Sequence, residues 1–230
     1  MNLLNFKNFY QKIYILWNLY IKYKIYLKKK TYSAHKEDLI VSKFFRNKKN
    51  GFFVDVGCHH PSRINNTFLL YQLGWRGVNI DMNKLSIDLF NSSRKEDTNL
   101  NYAVSEKNKI INFYTNKNLS LTASIFKKSS FEKFKYKKKI KSKTLTNILN
   151  ETKYKNKQID FLNIDAEGAD YEVLKSLDFK TYKPKLICIE IWGAGPSKVS
   201  IKNNNIFKFL VNKNYKLTTT VGMNCIFACK

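Results

Sequence analysis

Arginine is scarce in this chain. Only Arg46, Arg63, Arg76 and Arg94 stand among 42 basic residues, against 17 acids and a formal charge of +25. Bidentate recognition of phosphate favours arginine over lysine, so the charge alone is a weak sign of a phosphate-binding protein. The lysines travel with asparagine and isoleucine, a bias that an AT-rich genome also produces, and a solvated lysine surface is the plain reading. In general, a surface of this sign favours nucleic acid, lipid headgroups or phosphorylated substrates.

Cysteine is sparse as well. Cys58, Cys188, Cys225 and Cys229 include no Cys-x-x-Cys pair, which argues against structural zinc. Buried free thiols in a reducing compartment, the cytoplasm, are the expectation. Long apolar runs are also missing. In "NFYQKIYILWNLYIKYKIYLKKK" (8–30), Lys12 and Lys22 bracket nine residues, whereas a bilayer span needs about 20. The segment has no small-residue cleavage site of the kind a signal peptide carries. Two readings of a helical extension over 1–32 stay open. Its Trp and Tyr rings above a lysine fringe suit a peripheral membrane contact through residues 1–30, at the inner membrane face. It equally suits an extra helix packed on the domain.

What is present supports one core: 230 residues, 43% apolar and 15% aromatic. Residues 33–230 read as a single domain without internal repeats. Helices are predicted over 33–45, 66–74, 83–94, 145–153, 170–178 and 206–215, and strands over 51–57, 77–81, 99–105, 109–115, 159–168 and 184–193. The last stretch, 216–230, reads as an antiparallel hairpin. The Lys/Ser/Asn-rich stretch 116–143 is left without assigned structure, as a place for a substrate loop. Strands alternating with helices give an α/β fold, a mostly parallel doubly wound sheet.

In such a sheet, ligands bind outside the carboxyl ends of the strands. Asp55, Gly57, Asp81, Asp165, Glu167 and Glu190 all fall at or near predicted strand ends. Gly57 lets the backbone turn and approach a ligand. Asp81 follows it by 24 residues, near the spacing at which an acid on a second strand accepts hydrogen bonds from a ribose diol. "GCHHPS" lacks the G-x-G-x-x-G diphosphate cradle, which argues against a nicotinamide cofactor. S-adenosylmethionine, with its positive sulfonium and amino groups, suits a ring of acids better.

Four stretches carry a family resemblance: "YSAHKEDLIVSKFF", "FFVDVGCHHPSRINNTFLLYQLGWRGVNIDMN", "SRKEDTNLNYAVS" and "IDFLNIDAEGADYEVLKSLDFKTYKPKLICIEI". Spread over most of residues 32–192, they resemble the FkbM family of S-adenosylmethionine-dependent methyltransferases in content and order. The resemblance implies a Rossmann-like methyltransferase domain and O-methylation, often of sugar hydroxyls in glycans, surface polysaccharides or natural products. It places Asp55 and Gly57 by the methionine part of the cofactor and Asp81 on the ribose. Asn66 and Thr67 open the first helix near the cofactor, and Arg94 and Asn101 order the loop beside the adenine. Cys58, His59 and Ala103 complete that cofactor-binding set. Where the family often has "GAN" or "GAH", this chain has "GCHH", so His59 and His60 fit a histidine-bearing branch.

Transfer to oxygen needs an aligned hydroxyl and a proton acceptor. Asp165 is the first candidate for a base or substrate clamp, Glu167 stands beside it, and His60 is the second base. A loop histidine bonded to backbone is the plainer reading of His60. Asp165, Glu167 and Glu190 together offer oxygens for a divalent metal, while capping of the next helix is the plainer role for Glu167. Trp75 and Trp192 are read as core rather than as sugar platforms. The expected partner is a sugar or glycan acceptor, nucleotide- or lipid-linked. Two alternatives stand against it: a nucleic-acid (RNA) methyltransferase using the basic surface, and a binding module that has lost its chemistry. No RNP-like or Asn-Pro-Pro-aromatic motif supports the first.

Overall fold

The computed structural model describes residues 3–115, 123–124, 136–191 and 198–230. Its centre is "FFVDV", a run of aromatic and β-branched residues buried along its whole length as strand β1 (Phe52–Val56). Continuous burial of this kind belongs to the middle of a parallel sheet covered on both faces. Strand β2 (Arg76–Ile80) pairs parallel on one side and β8 (Phe161–Ile164) on the other. Outside β2 lies the three-residue β3 (Thr98–Leu100), and outside β8 lies β9 (Leu186–Glu190). The closing hairpin, β10 (Tyr215–Val221) and β11 (Asn224–Cys229), joins through β11, antiparallel to β9. The order is β10-β11-β9-β8-β1-β2-β3, with one antiparallel strand in an otherwise parallel arrangement.

Helices α2 (Glu37–Phe44) and α3 (Phe68–Gln72) cover one face, and α4 (Lys84–Ser93) follows β2. Helices α5 (Leu145–Asn150), α6 (Asp170–Lys175), α7 (Lys198–Asn203) and α8 (Asn205–Asn212) lie in the second half. The larger core joins Val54, Val56, Val78, Leu162, Ile164 and Ile187 to Leu149, Leu174 and Leu210. The smaller one, on the opposite face, joins Phe53, Phe161 and Leu186 to Val41, Leu70 and Trp75. Trp75 is fully buried there, its Nε1–H donating to the Lys48 carbonyl at 2.6 Å, so it is core, as its sequence context implied. Trp192 lies outside the described residues.

Two expectations about strands change. The strand predicted over 99–105 is split: β3 ends at Leu100, and β4 (Ala103–Val104) belongs to a different sheet. The Asn101 side chain donates to the Asp81 carbonyl at 2.9 Å where the chain leaves the first sheet. The second sheet has the order β4-β7-β5-β6, with β5 (Lys109–Thr115), β6 (Ala123–Ser124) and β7 (Tyr136–Lys143). Strand β7, "YKKKIKSK", falls in the stretch left unassigned because it reads as solvated charge. It pairs with β5 over seven residue pairs, from Lys109–Ser142 to Thr115–Tyr136.

The N-terminal extension forms α1 (Leu3–Trp17), then a π-helical turn (Asn18–Lys22) and a 3₁₀ turn (Lys24–Lys28). It packs on the domain. Ile15 and Leu19 bury against Leu85 and Leu89 of α4, and Gln11 Nε2 donates to Asp88 Oδ2 at 2.6 Å.

Candidate active site

A cavity of about 510 Å³ opens at the carboxyl ends of β1, β2 and β8, within the ~300–1,000 Å³ of small-molecule sites. Each strand end contributes a turn. After β1 the chain turns at Gly57 (φ +77), whose N–H donates to the Ile80 carbonyl at 2.9 Å. Cys58, His59, Ile64, Asn65 and Asn66 continue that wall. After β2 come Asp81 and Met82, and after β8 come Asp165, Ala166 and Glu167. Tyr102 and Ala103 line the side near β3, and Ser105, Lys109, Ile111 and Asn112 bring the second sheet over the cavity.

Asp55 lies in a polar row that crosses three strands. The sheet register puts it beside Asn79 of β2 and Asn163 of β8. Its Oδ1 accepts from Asn163 Nδ2 at 2.9 Å, and its Oδ2 accepts from Thr67 Oγ1 at 2.8 Å and Asn65 Nδ2 at 3.4 Å. Burial raises its pKa, opposed by those hydrogen bonds and by Arg94. Arg94 is itself fully buried. Its Nε donates to Asp97 Oδ2 at 2.9 Å, and its Nη1 donates to Thr67 Oγ1 at 3.0 Å and Asn65 Oδ1 at 3.3 Å. Thr67, Arg94 and Asn101 do not line the cavity; they brace the loops that do.

Asp81 is better placed to meet a ligand. Its Oδ2 accepts the His59 N–H at 2.9 Å and its Oδ1 the Asn83 N–H at 2.7 Å, so two backbone donors fix the carboxylate at the cavity edge. Burial nevertheless pushes its pKa up to about 6. Asp165 is pushed well above the ordinary carboxylate range, first by burial and then by Glu190, Asp170, Glu167 and Asp55. These neighbours disfavour its ionised form, and a cation beside it would favour that form.

The two histidines part company. His59 lines the cavity, with its pKa lowered to about 4 by burial and by Arg63. His60 is fully buried outside the lining. Its Nδ1 accepts the N–H groups of Ser62 (3.2 Å) and Arg63 (3.0 Å), and its ring meets Tyr23 edge-on at 5.1 Å. Burial foremost lowers its pKa to about 3. Through Nδ1 it is a backbone-bonded loop histidine, while its Nε2 is buried without a hydrogen-bond partner.

Glu167 is exposed at the cavity rim, at φ +50. Helix α6 has no side-chain cap; Asp170, its first residue, accepts the N–H groups of Ala166 (2.8 Å) and Gly168 (3.0 Å) in the turn before it. Glu190 ends β9 near enough to raise Asp165, yet it is not a lining residue. Among the described residues no three His, Cys, Asp or Glu side chains are gathered to hold a metal ion. The trio Asp165, Glu167 and Glu190 does not assemble as such a site.

Several lining residues escaped sequence reasoning. Asn65 and Asn163 hold Asp55, and the signal for Asn163 was a lone amide inside the apolar "FLNI". Asn66 Nδ2 donates to Asn163 Oδ1 at 2.9 Å, joining the loop after β1 to strand β8. Glu172, one turn into α6, had no local signal, and neither did Lys109, Ile111 and Asn112, which reach the cavity only through the second sheet.

The lining thus holds five acids, Asp55, Asp81, Asp165, Glu167 and Glu172, against one lysine, Lys109, in a chain of net charge +25. This donor set fits a positively charged ligand with hydroxyls, as S-adenosylmethionine is, and opposes a dinucleotide diphosphate.

Three solved structures are similar to the chain, all at low identity. A methyltransferase FkbM from Methylobacillus flagellatus KT shares 12% identity at a TM-score of 0.49, over 78% of this chain and 43% of that one. The chain therefore spans less than half of that relative's length. A TehB-like SAM-dependent methyltransferase from Corynebacterium glutamicum ATCC 13032 Kitasato shares 11% at 0.43, over 100% of both chains. The 16S rRNA methylase ArmA shares 11% at 0.38, over 84% and 82%. No curated protein matches the sequence. The methyltransferase FkbM domain model matches residues 55–217, well over half of the chain and the whole cavity wall: the chain belongs to the FkbM methyltransferase family.

Proposed function

We propose that this chain is an S-adenosylmethionine-dependent O-methyltransferase acting on a sugar hydroxyl of a glycan, surface polysaccharide or related metabolite. The observation that carries the reading is the acid-lined cavity at the strand ends of a strongly basic chain. S-adenosylmethionine, when bound, supplies the methyl group. Asp81, fixed by its two backbone donors, accepts from the ribose hydroxyls, with His59, Met82, Tyr102 and Ala103 around the adenosine side. Asp55, Gly57, Asn65 and Asn66 border the methionine side.

The acceptor side is the wall made by Asp165, Glu167, Glu172 and the second sheet. Asp165 would orient the acceptor hydroxyl and accept its proton. A positive charge beside it favours the ionised carboxylate that this role requires. Lys109, Ile111 and Asn112 pair an ammonium, an apolar surface and an amide, a set suited to a sugar bearing a phosphate or carboxylate.

The test is calorimetric titration with S-adenosylmethionine and S-adenosylhomocysteine, wild type beside Asp81→Ala. Micromolar binding that the variant loses supports the reading; a folded wild type that binds neither ligand ends it. Acceptor screening then follows S-adenosylhomocysteine release with sugar nucleotides and lipid-linked glycans. A second reading, methylation of RNA, is favoured by β7, where Lys137, Lys139 and Lys141 are exposed on one face of a strand. It predicts RNA-dependent turnover and an affinity that falls steeply with salt.

A further inference from the structure

The extension of residues 1–36 carries eight lysines and no acid. One side of it is committed to the domain, through Ile15 and Leu19 on α4. The other side is exposed to solvent among the described residues. Among the described residues, eight of the fifteen exposed large apolar side chains fall between residues 9 and 25. Phe9, Ile13, Leu16 and Trp17 recur at helical spacing on α1, between 39% and 57% exposed, and Ile21 and Ile25 are each 68% exposed. Scattered apolar residues on a surface need no explanation, but a concentrated patch does.

The chemistry around the patch says what covers it. Lys22 Nζ lies 5.2 Å from the Trp17 ring centre and 4.9 Å from that of Tyr23, and Lys29 Nζ lies 4.2 Å from that of Tyr26. Rings with ammonium groups over their faces suit the boundary between acyl chains and headgroups. An acidic protein groove would match the lysines but gain little from eight exposed apolar side chains. No described helix is long and apolar enough to cross a bilayer, so the geometry is that of a helix lying on one.

We propose that this face of the N-terminal extension seats the protein on an anionic lipid bilayer. The contact reaches the cavity. Tyr23 packs on His60, the Arg63 guanidinium lies 4.8 Å from the Tyr23 ring centre, and the Tyr32 carbonyl accepts the Asn65 N–H at 3.0 Å. Residues 59–66 thus join the lipid-facing extension to the cavity wall that His59, Ile64, Asn65 and Asn66 form. The inference stands on this surface alone and does not depend on the reaction proposed above.

The test is flotation of the full chain with vesicles of phosphatidylcholine alone, or with roughly a third phosphatidylglycerol, at low and high salt. Binding to the anionic vesicles, weakened by salt, is expected. The double variant Ile13→Glu/Ile21→Glu, both positions exposed, should keep the wild-type melting temperature and lose binding about tenfold or more. Lys22→Gln/Lys24→Gln/Lys29→Gln should remove most of the preference for anionic lipid. Failure of the wild type to float, or unchanged binding by the Glu variant, overturns the proposal. So does light scattering that shows a dimer broken by Ile13→Glu/Ile21→Glu without vesicle binding, which would assign the face to a second copy of the chain.

Discussion

A β-carbon at Gly57 would sit 1.8 Å from the carbonyl oxygen of Asp165, so the turns that end β1 and β8 meet through bare backbone. Gly57 also has φ +77, a left-handed conformation. Gly57→Ala therefore meets two costs, ~1–2 kcal/mol of backbone strain and ~1–3 kcal/mol of displaced packing. A fall in melting temperature of roughly 5–20 °C is expected, with loss of cofactor binding at temperatures where the variant is still folded. Gly74→Ala is the control. It has φ +89, and its β-carbon would meet the Asn50 side chain at 2.9 Å; neither residue lines the cavity. It should lower stability while leaving ligand affinity intact.

The Asp81 carboxyl, at about 6, gives cofactor binding a pH signature. Its pKa in the folded chain lies above the unfolded value. The empty fold therefore holds a proton that the unfolded chain has already released, and this contribution to stability falls as pH rises through about 4 to 6. Binding runs the other way, since ribose hydroxyls donate to the ionised form. Affinity at pH 5 should be about tenfold weaker than at pH 7.5. His59 and His60, at about 4 and about 3, do not titrate across that interval. A pH dependence unchanged in Asp81→Ala would assign the titration to other acids and remove Asp81 from the role.

The fold and the site were legible in different degrees. Apolar runs such as "FFVDV" and "LICIE" declare buried parallel strands because both faces are covered, and the acids that close them mark the ligand end of the sheet. Strand β7 was not legible, because its Lys137, Lys139 and Lys141 face outward and only Ser142 of the strand is buried. His60 illustrates a different limit: only the packed loop shows that its Nδ1 receives the N–H groups of Ser62 and Arg63. Arg94 and Thr67 could be picked out as important positions, but not as bracing. Their partners Asp97, Asn65 and Asp55 come together only once α4 and the loop after β1 are packed.

That bracing is testable by stability. Arg94→Met leaves Asp97 buried without its cation, which costs about 3–5 kcal/mol. Thr67→Val removes a donor to Asp55 and an acceptor for Arg94, costing about 1–3 kcal/mol. Because one network holds both residues, their effects in urea unfolding should fall short of additivity in the double variant. Additive losses would mean that the two act separately.

Asp160 shows the opposite linkage to Asp81. Burial alone would raise its carboxyl, but hydrogen bonds from Lys185 (2.8 Å), the Phe52 N–H (3.0 Å) and Lys48 (3.1 Å) together lower it. A lowered folded pKa contributes stability above the unfolded value and loses it as pH falls through the folded one. Asp160→Asn should therefore destabilise at pH 7, and the difference from wild type should vanish in acid. Melting curves from pH 7 downward measure it. The lysines are half exposed, so high salt should shrink the gap.

Asp165→Asn separates chemistry from binding. Burial and four neighbouring acids raise the pKa of the wild-type carboxyl and so oppose its ionisation, and a neutral amide of the same shape removes that opposition. The variant should melt no lower than wild type at pH 7.5, since it removes a group whose ionisation the fold opposes. Affinity for S-adenosylhomocysteine, which carries no sulfonium, should change little. Turnover should drop by ~10²–10⁴-fold, the usual contribution of a positioned base, with the loss in kcat rather than in KM for the acceptor. If turnover survives and only the acceptor KM rises, Asp165 is a clamp and the proton leaves by another route. Glu172, the remaining cavity acid on α6, is then the next residue to change.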